Sequence, residues 1–273
     1  MTPRRFMPAL LLLFVASGCA ALIYEIVWFQ LLQLVIGSSA VSLAVLLGTF
    51  MGGMCVGSFL LPRYISAREH PLRVYAFMEI AIGVFGLFIL FGVPALANIY
   101  TAWGGSGPVG LVFRAVAASF FLLPPTILMG ATLPAMSRWV ETSPTGVAWL
   151  GYFYGGNTGG AVIGSLLAGF YLLRVHDMAI ATYVAVVLNL AVGALALLVA
   201  SRTEYTAPLA PRDKAKAASG AWAVYAAIAL SGMTALASQV IWTRTLSLLF
   251  GATVYTFSPV SYTHLTLPTI YSV

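Results

Sequence analysis

The sequence predicts an all-α polytopic membrane protein with about seven transmembrane helices: a six-helix unit, then the first helix of a second copy. Three observations carry this. Hydrophobic residues make up 61% of the chain and charged ones only 7%, with a mean hydropathy of +0.98. A soluble core of this size would need a charged surface that these residues cannot supply. Apolar runs of the roughly 20 residues needed to cross a bilayer recur along the chain. Finally, residues 17–37, SGCAALIYEIVWFQLLQLVIG, return at 231–251 as SGMTALASQVIWTRTLSLLFG, aligned without a gap.

The spans are expected at 7–36, 40–61, 73–94, 109–137, 147–173, 178–200 and 221–250. Span 1 opens after Arg4-Arg5. The apolar run ending in Ala16-Ser17-Gly18-Cys19 has the look of a secretory or lipoprotein signal. A cleaved signal ends its apolar stretch near the cut. Here the apolar character continues through Leu34 and the repeat begins before that point, so no cleavage is expected. Span 2 carries the small-residue pairs Gly48/Gly52 and Gly53/Gly57. Span 5 carries Gly156, Gly160, Gly164 and Ala168, also spaced by four. Small residues at this spacing let helix backbones approach closely in lipid.

Basic residues orient the spans. Arg4, Arg5, Arg63, Arg68, Arg73, Arg138, Arg202, Arg212, Lys214 and Lys216 fall on one side, and Arg174 lies in a loop on the other. The positive-inside rule then makes the N-terminus cytoplasmic. The net charge of +6 is explained by these loops, and nucleic acid is not an expected partner; the lipid bilayer is. Trp28, Trp103 and Trp242 are expected at the outer interface, and Trp139, Trp149 and Trp222 at the inner one.

The repeat sets the architecture. Eight of 21 positions are identical, Ser17/Ser231, Gly18/Gly232 and Trp28/Trp242 among them, against about two or three for unrelated apolar helices. Gly18, Ala21, Glu25, Trp28 and Leu32 share one helix face, as do Gly232, Ala235, Gln239, Trp242 and Leu246. The two copies start spans 1 and 7 and run in the same direction. Parallel six-helix units are the arrangement of major facilitator transporters. The chain thus divides into a six-helix bundle at 1–200, a cytoplasmic linker at 201–220 with Pro208 and Pro211, and the start of a second repeat at 221–258. Residues 259–273, PVSYTHLTLPTIYSV, break the repeat, which calls for a small, Gly-rich span 2 there. They read as translated adapter sequence, with the native chain continuing beyond Ser258.

Several segments resemble one family, the bacterial fused major facilitator/spermidine synthase proteins. The carrying motifs are Ala21-Leu22-Ile23-Tyr24-Glu25-Ile26-Val27-Trp28 in span 1, and Phe50-Met51-Gly52-Gly53 with Gly57-Ser58 in span 2. Span 4 adds Leu123-Pro124-Pro125-Thr126 and Met129-Gly130-Ala131-Thr132-Leu133-Pro134; span 5 adds Tyr154-Gly155-Gly156-Asn157-Thr158-Gly159-Gly160-Ala161. The resemblance implies a membrane half joined to a soluble, Rossmann-type aminopropyltransferase that handles polyamines. The Gly-Gly-Gly-Asp-Gly loop of such synthases is missing here. No catalytic residue and no cofactor is therefore expected in this chain, and the loop between spans 2 and 3 lacks the acidic residue of the usual transporter signature.

Charges inside the membrane are costly and usually face a cavity or a partner. Glu25, Glu79, Arg114 and Arg244 qualify. At 1.5 Å per residue, Glu25 and Arg244 fall in the outer half, with Arg114 at comparable depth. In a major facilitator arrangement spans 1, 4 and 7 line the central cavity, so these three, with Gln239 of the second copy, are candidates for one cavity site. Either Glu25 is a cation or proton site gated by exchange of an arginine partner, or the charges form a fixed ion pair between halves, with an arginine free to snorkel to headgroups. Glu79 and Asn157 are expected as a polar clamp toward the cytoplasmic side. No metal site is expected: His70 is alone in a basic loop, and His176 lies beside Asp177 and Arg174. Gly156-Asn157-Thr158-Gly159-Gly160 lies inside an apolar helix rather than in a phosphate loop. Gly105-x-Gly107-x-x-Gly110 follows no strand and has no acidic partner for a ribose, so dinucleotide binding is excluded. The sequence leaves three functions open: membrane anchor and feeder of a polyamine-handling enzyme, secondary transporter of a cationic or amphipathic solute, or structural scaffold.

Overall fold

The computed structural model describes residues 6–36, 40–66, 68–103, 108–140, 144–205 and 221–250; the side chains of some helix positions, Arg114 and the 96–103 end of α3 among them, fall outside that description. The elements are α1 (Met7–Ile36), α2 (Ala40–Tyr64), α3 (Pro71–Trp103), α4 (Pro108–Val140), α5 (Pro144–Leu166), a π-helical stretch (Leu167–Leu172) running into the short α6 (Leu173–Val175), then α7 (Met178–Ser201) and α8 (Ala221–Phe250). No strand occurs among the described residues. In hydrocarbon every backbone N–H and C=O must be satisfied within its own segment, and helices do this.

Among the described residues six helices are long and apolar enough to cross a membrane, so this is a multi-pass membrane protein by length and composition. Span 2, expected at 40–61, is not among these six; within α2 the apolar stretch among the described residues is the shorter Leu46–Leu60. Helix starts follow local chemistry. Pro71, Pro108 and Pro144 open α3, α4 and α5 at the position where proline's missing N–H costs nothing. Asp177 caps α7 by accepting from the Ile180 N–H at 2.8 Å. Inside α4, Pro124, Pro125 and Pro134 each remove one helical donor, which membrane helices tolerate where neighbours cover the freed carbonyls.

The bundle is held by intimate helix pairs: α1 on α5, α2 on α4, and α3 on α7 and α4. Glycine makes the first two possible. A Cβ on Gly160 would run into the Val15 backbone carbonyl, one on Gly164 into that of Cys19, and one on Gly18 into that of Asn157. A Cβ on Gly57 would strike the Ile127 carbonyl and one on Gly130 the Met54 carbonyl. The expected stripes at Gly160/Gly164 and Gly53/Gly57 are thus helix contacts. The Gly48/Gly52 stripe is not, since a Cβ at either position meets nothing within 4 Å.

Two aromatic centres fill the interior. Near the N-terminus of α1, Phe14 stacks on Tyr75 at 5.2 Å and on Phe153 at 5.1 Å, tying α1, α3 and α5. Further along α1, Tyr24 stacks on Trp28 at 5.0 Å, and Trp28 reaches Phe50 of α2. Trp28, only 1% exposed, is therefore a core residue and not the interfacial anchor expected of it; Trp139, at 6%, is buried as well. Depth along the helix suggested an interface, but the helix face decides.

The two copies of the repeat sit in unequal surroundings. On α1 the shared face is packed: Glu25 is 2% exposed and Gly18 lies against α5. On α8, which touches α2, Gly232 has open space around it and Trp242 is 57% exposed, while Gln239 is buried. The 206–220 part of the expected linker and the whole of 259–273 lie outside the described residues.

Candidate functional site: a polar cavity at the centre of the bundle

Six helices converge on one cavity of about 60 Å³. Its wall is Ser17 and Ala21 of α1, Met54 of α2, Ile82 of α3, Met129 and Thr132 of α4, Asn157 of α5 and Asn189 of α7. Behind this wall lies Glu79, with no measurable exposure. The Ser17 hydroxyl donates to Glu79 Oε1 at 2.6 Å, and the Asn189 Nδ2 amide donates to Oε2 at 2.7 Å. The Tyr75 hydroxyl, one turn earlier on α3, lies beside the same carboxylate without a hydrogen bond of good geometry.

Local sequence explains the placement. Ser17, Ala21, Glu25 and Trp28 follow one stripe of α1, so the residues lining the cavity and the buried Glu25 lie on the same face. Gly18, next to Ser17, lets α5 come so near that a Cβ there would stand 3.0 Å from Asn157 Oδ1. On α3, Tyr75 and Glu79 are one turn apart and face α1 and α7.

Each expected site residue can now be placed. Glu79 does bridge helices, but through Ser17 and Asn189. Asn157 joins the cavity wall instead of bonding the carboxylate. Glu25 is buried on α1 one turn beyond Ala21, and among the described residues it has no ion-pair partner. Arg244 is exposed on α8, Gln239 is buried on the same helix, and the Arg114 side chain lies outside the described residues. Ser17, Thr132 and Asn189 were not foreseen as site residues. Asn189 could have been found as the single amide in an otherwise apolar helix, and Ser17 as an identity of the repeat.

A second polar cluster closes one end of the bundle. His70 caps α3: its Nδ1 accepts from the Leu72 N–H at 3.3 Å, so Nε2 carries the proton and donates to the Thr203 carbonyl at 3.2 Å. Tyr205 packs its ring on the imidazole, and Arg138 donates to the Ile65 carbonyl at 3.0 Å. Burial, with the Arg73 charge adding to it, holds the His70 pKa below the ordinary histidine value despite the bond to Thr203. Among the described residues no three His, Cys, Asp or Glu side chains stand together as metal ligands. No protein-family model, curated protein or solved structure matches this chain.

Proposed function

We propose that this chain is the membrane module of a bacterial spermidine-synthase-like fusion protein, organised as a major-facilitator-type six-helix unit plus the first helix of a parallel second unit. Its role is to hold, and to feed, a cytoplasmic aminopropyltransferase-like domain that acts on polyamines or related cationic small molecules. The observation that carries this reading is where the family-like motifs fall. The Gly53 and Gly57 segment of α2 lies against Thr126 and Ile127, beside the Leu-Pro-Pro-Thr motif of α4, and Gly130 of the next α4 motif lies against Met54. The Gly-rich motif of α5 lies against α1 at Leu11 and Val15, and Asn157 within it faces Gly18. Motifs that resemble one family in sequence are therefore partners in space, as expected if they specify one bundle. The open face of α8 fits a second unit assembling around it. In this reading the arginine-rich end is cytoplasmic, in the inner membrane.

Sequencing the source DNA through the codon for Ser258 tests the proposal. A frame that continues through further spans into a soluble region with a Gly-Gly-Gly-Asp-Gly loop supports it, and that protein in membranes should transfer aminopropyl groups to a polyamine. A stop codon directly after Val273 sinks it. A second reading, a free-standing secondary transporter of a cationic solute, is favoured by one observation: a cavity lined in part by polar side chains sits where all six helices of the first unit meet. Glu25, buried without a partner among the described residues, is the coupling carboxylate of that reading. Loss of proton-coupled uptake in Glu25→Gln would favour it, whereas unchanged activity of an attached enzyme in the same variant favours anchoring.

A further inference from the structure

Three of the four polar side chains that line the central cavity, those of Ser17, Thr132 and Asn189, already donate to the protein. Ser17 gives its hydroxyl proton to Glu79. Thr132 gives its own to the Met129 carbonyl at 2.8 Å. Asn189 turns its amide nitrogen to Glu79, which leaves Oδ1 buried with no hydrogen-bond partner. Asn189 is 2% exposed and lines the cavity. Beside the Asn157 amide, which carries both a donor and an acceptor, the wall therefore offers acceptor oxygens: the lone pairs of Ser17 and Thr132 and the unpaired carbonyl of Asn189. An orphaned buried acceptor is expensive, and a site of this kind is completed by something that donates or is positively charged.

Glu79 strengthens the requirement. A carboxylate at this depth, with two neutral donors and no arginine beside it among the described residues, lacks the opposite charge that buried carboxylates normally have. A volume of about 60 Å³ has room for about four to six waters. A bare or partly hydrated small cation fits this space, and a bulky organic cation does not.

We propose that the cavity is a binding site for one small monovalent cation, bound by Ser17, Thr132 and Asn189 oxygens with Glu79 as its counter-charge. Two sources present the same chemistry, a sodium-sized metal ion and an alkylammonium group. The inference stands on the cavity alone and needs no attached transferase, so its failure leaves the fusion-protein reading untouched, and the reverse.

The test is thermal unfolding of the full chain in detergent, followed by tryptophan fluorescence, at constant ionic strength. N-methylglucamine chloride, too large for the cavity, is replaced stepwise by lithium, sodium, potassium, ammonium or methylammonium chloride. At least one small cation should raise the midpoint in a saturating way, as a ligand of the native state does. A response to the metal ions alone assigns the site to an inorganic ion, and one to ammonium and methylammonium assigns it to an alkylammonium group. Thr132→Val, which keeps the shape and removes one acceptor, should raise the half-saturating concentration about three- to ten-fold. Glu79→Gln should abolish the response. The proposal is overturned if no small cation differs from N-methylglucamine, or if Glu79→Gln responds like the wild type. Should Glu79→Gln fail to fold, an undiminished response in both Thr132→Val and Ser17→Ala overturns it equally.

Discussion

Gly159 and Gly160 offer an internally controlled test of how α1 and α5 are held together. They are neighbours on one helix, so replacing either by alanine brings the same gain in helix propensity, about 1 kcal/mol in a helix interior. Their surroundings differ completely. A Cβ on Gly159 meets nothing within 4 Å, whereas one on Gly160 meets the Val15 carbonyl oxygen and stands 2.9 Å from the Val15 Cα. Backbone atoms cannot rotate aside, so Gly160→Ala must push α1 and α5 apart along their whole contact. Overpacking of this kind costs about 1–3 kcal/mol. Gly159→Ala should therefore be neutral or stabilising by up to about 1 kcal/mol, with Gly160→Ala less stable than it by about 1–3 kcal/mol. Gly156→Ala should fall between them, because its obstacle is the end of the Leu11 side chain, which can shift. Reversible denaturation in mixed micelles, read by tryptophan fluorescence, measures the differences. Equal stability of Gly159→Ala and Gly160→Ala would refute the close α1–α5 contact.

Three further outcomes follow from the same geometry. On α2, Gly57→Ala should destabilise through the Ile127 carbonyl while Gly52→Ala should not; both can be read in the same denaturation assay. Tyr24→Phe should be neutral or stabilising by up to about 1 kcal/mol, because the Tyr24 hydroxyl is buried without a hydrogen-bond partner; a clear loss of stability would show that this hydroxyl is satisfied. For His70 the folded pKa is depressed, so the folded state favours the neutral ring. Its contribution is complete above the ordinary histidine pKa and is lost as pH falls through the lower folded value, where a proton on Nδ1 ends the acceptance from Leu72. The thermal midpoint of the wild type should fall between about pH 8 and about pH 5 more steeply than that of His70→Phe; parallel profiles would contradict the cap.

The sequence was informative wherever one residue property decides the outcome, and silent wherever the outcome depends on what lies opposite. Long apolar runs show where most of the helices lie, because a single segment in hydrocarbon satisfies its own backbone groups as a helix. The small-residue stripes show the limit. Gly48/Gly52 and Gly53/Gly57 are equivalent as patterns, yet only the second pair faces another helix, and nothing in the spacing of α2 says where α4 lies. Trp28 makes the same point, since its height along α1 is that of an interface while its face, shared with Tyr24, points into the core.

The candidate site divides along the same line. Charge singled out Glu25 and Glu79 equally, since both are carboxylates in apolar spans. The structure separates them by their neighbours: Glu79 has two donors from two other helices, and Glu25 has no ion-pair partner among the described residues. A carboxylate fixed by Ser17 and Asn189 is built to keep one position, which suits a binding site. One without fixed partners can exchange them, which suits coupling. The two therefore predict different phenotypes on neutralisation: Glu79→Gln should abolish cation binding, while Glu25→Gln should leave binding intact and change only what binding drives. A Glu25→Gln variant that lost the cation response of the central cavity would mean that the α1 stripe from Ser17 to Glu25 acts as one site.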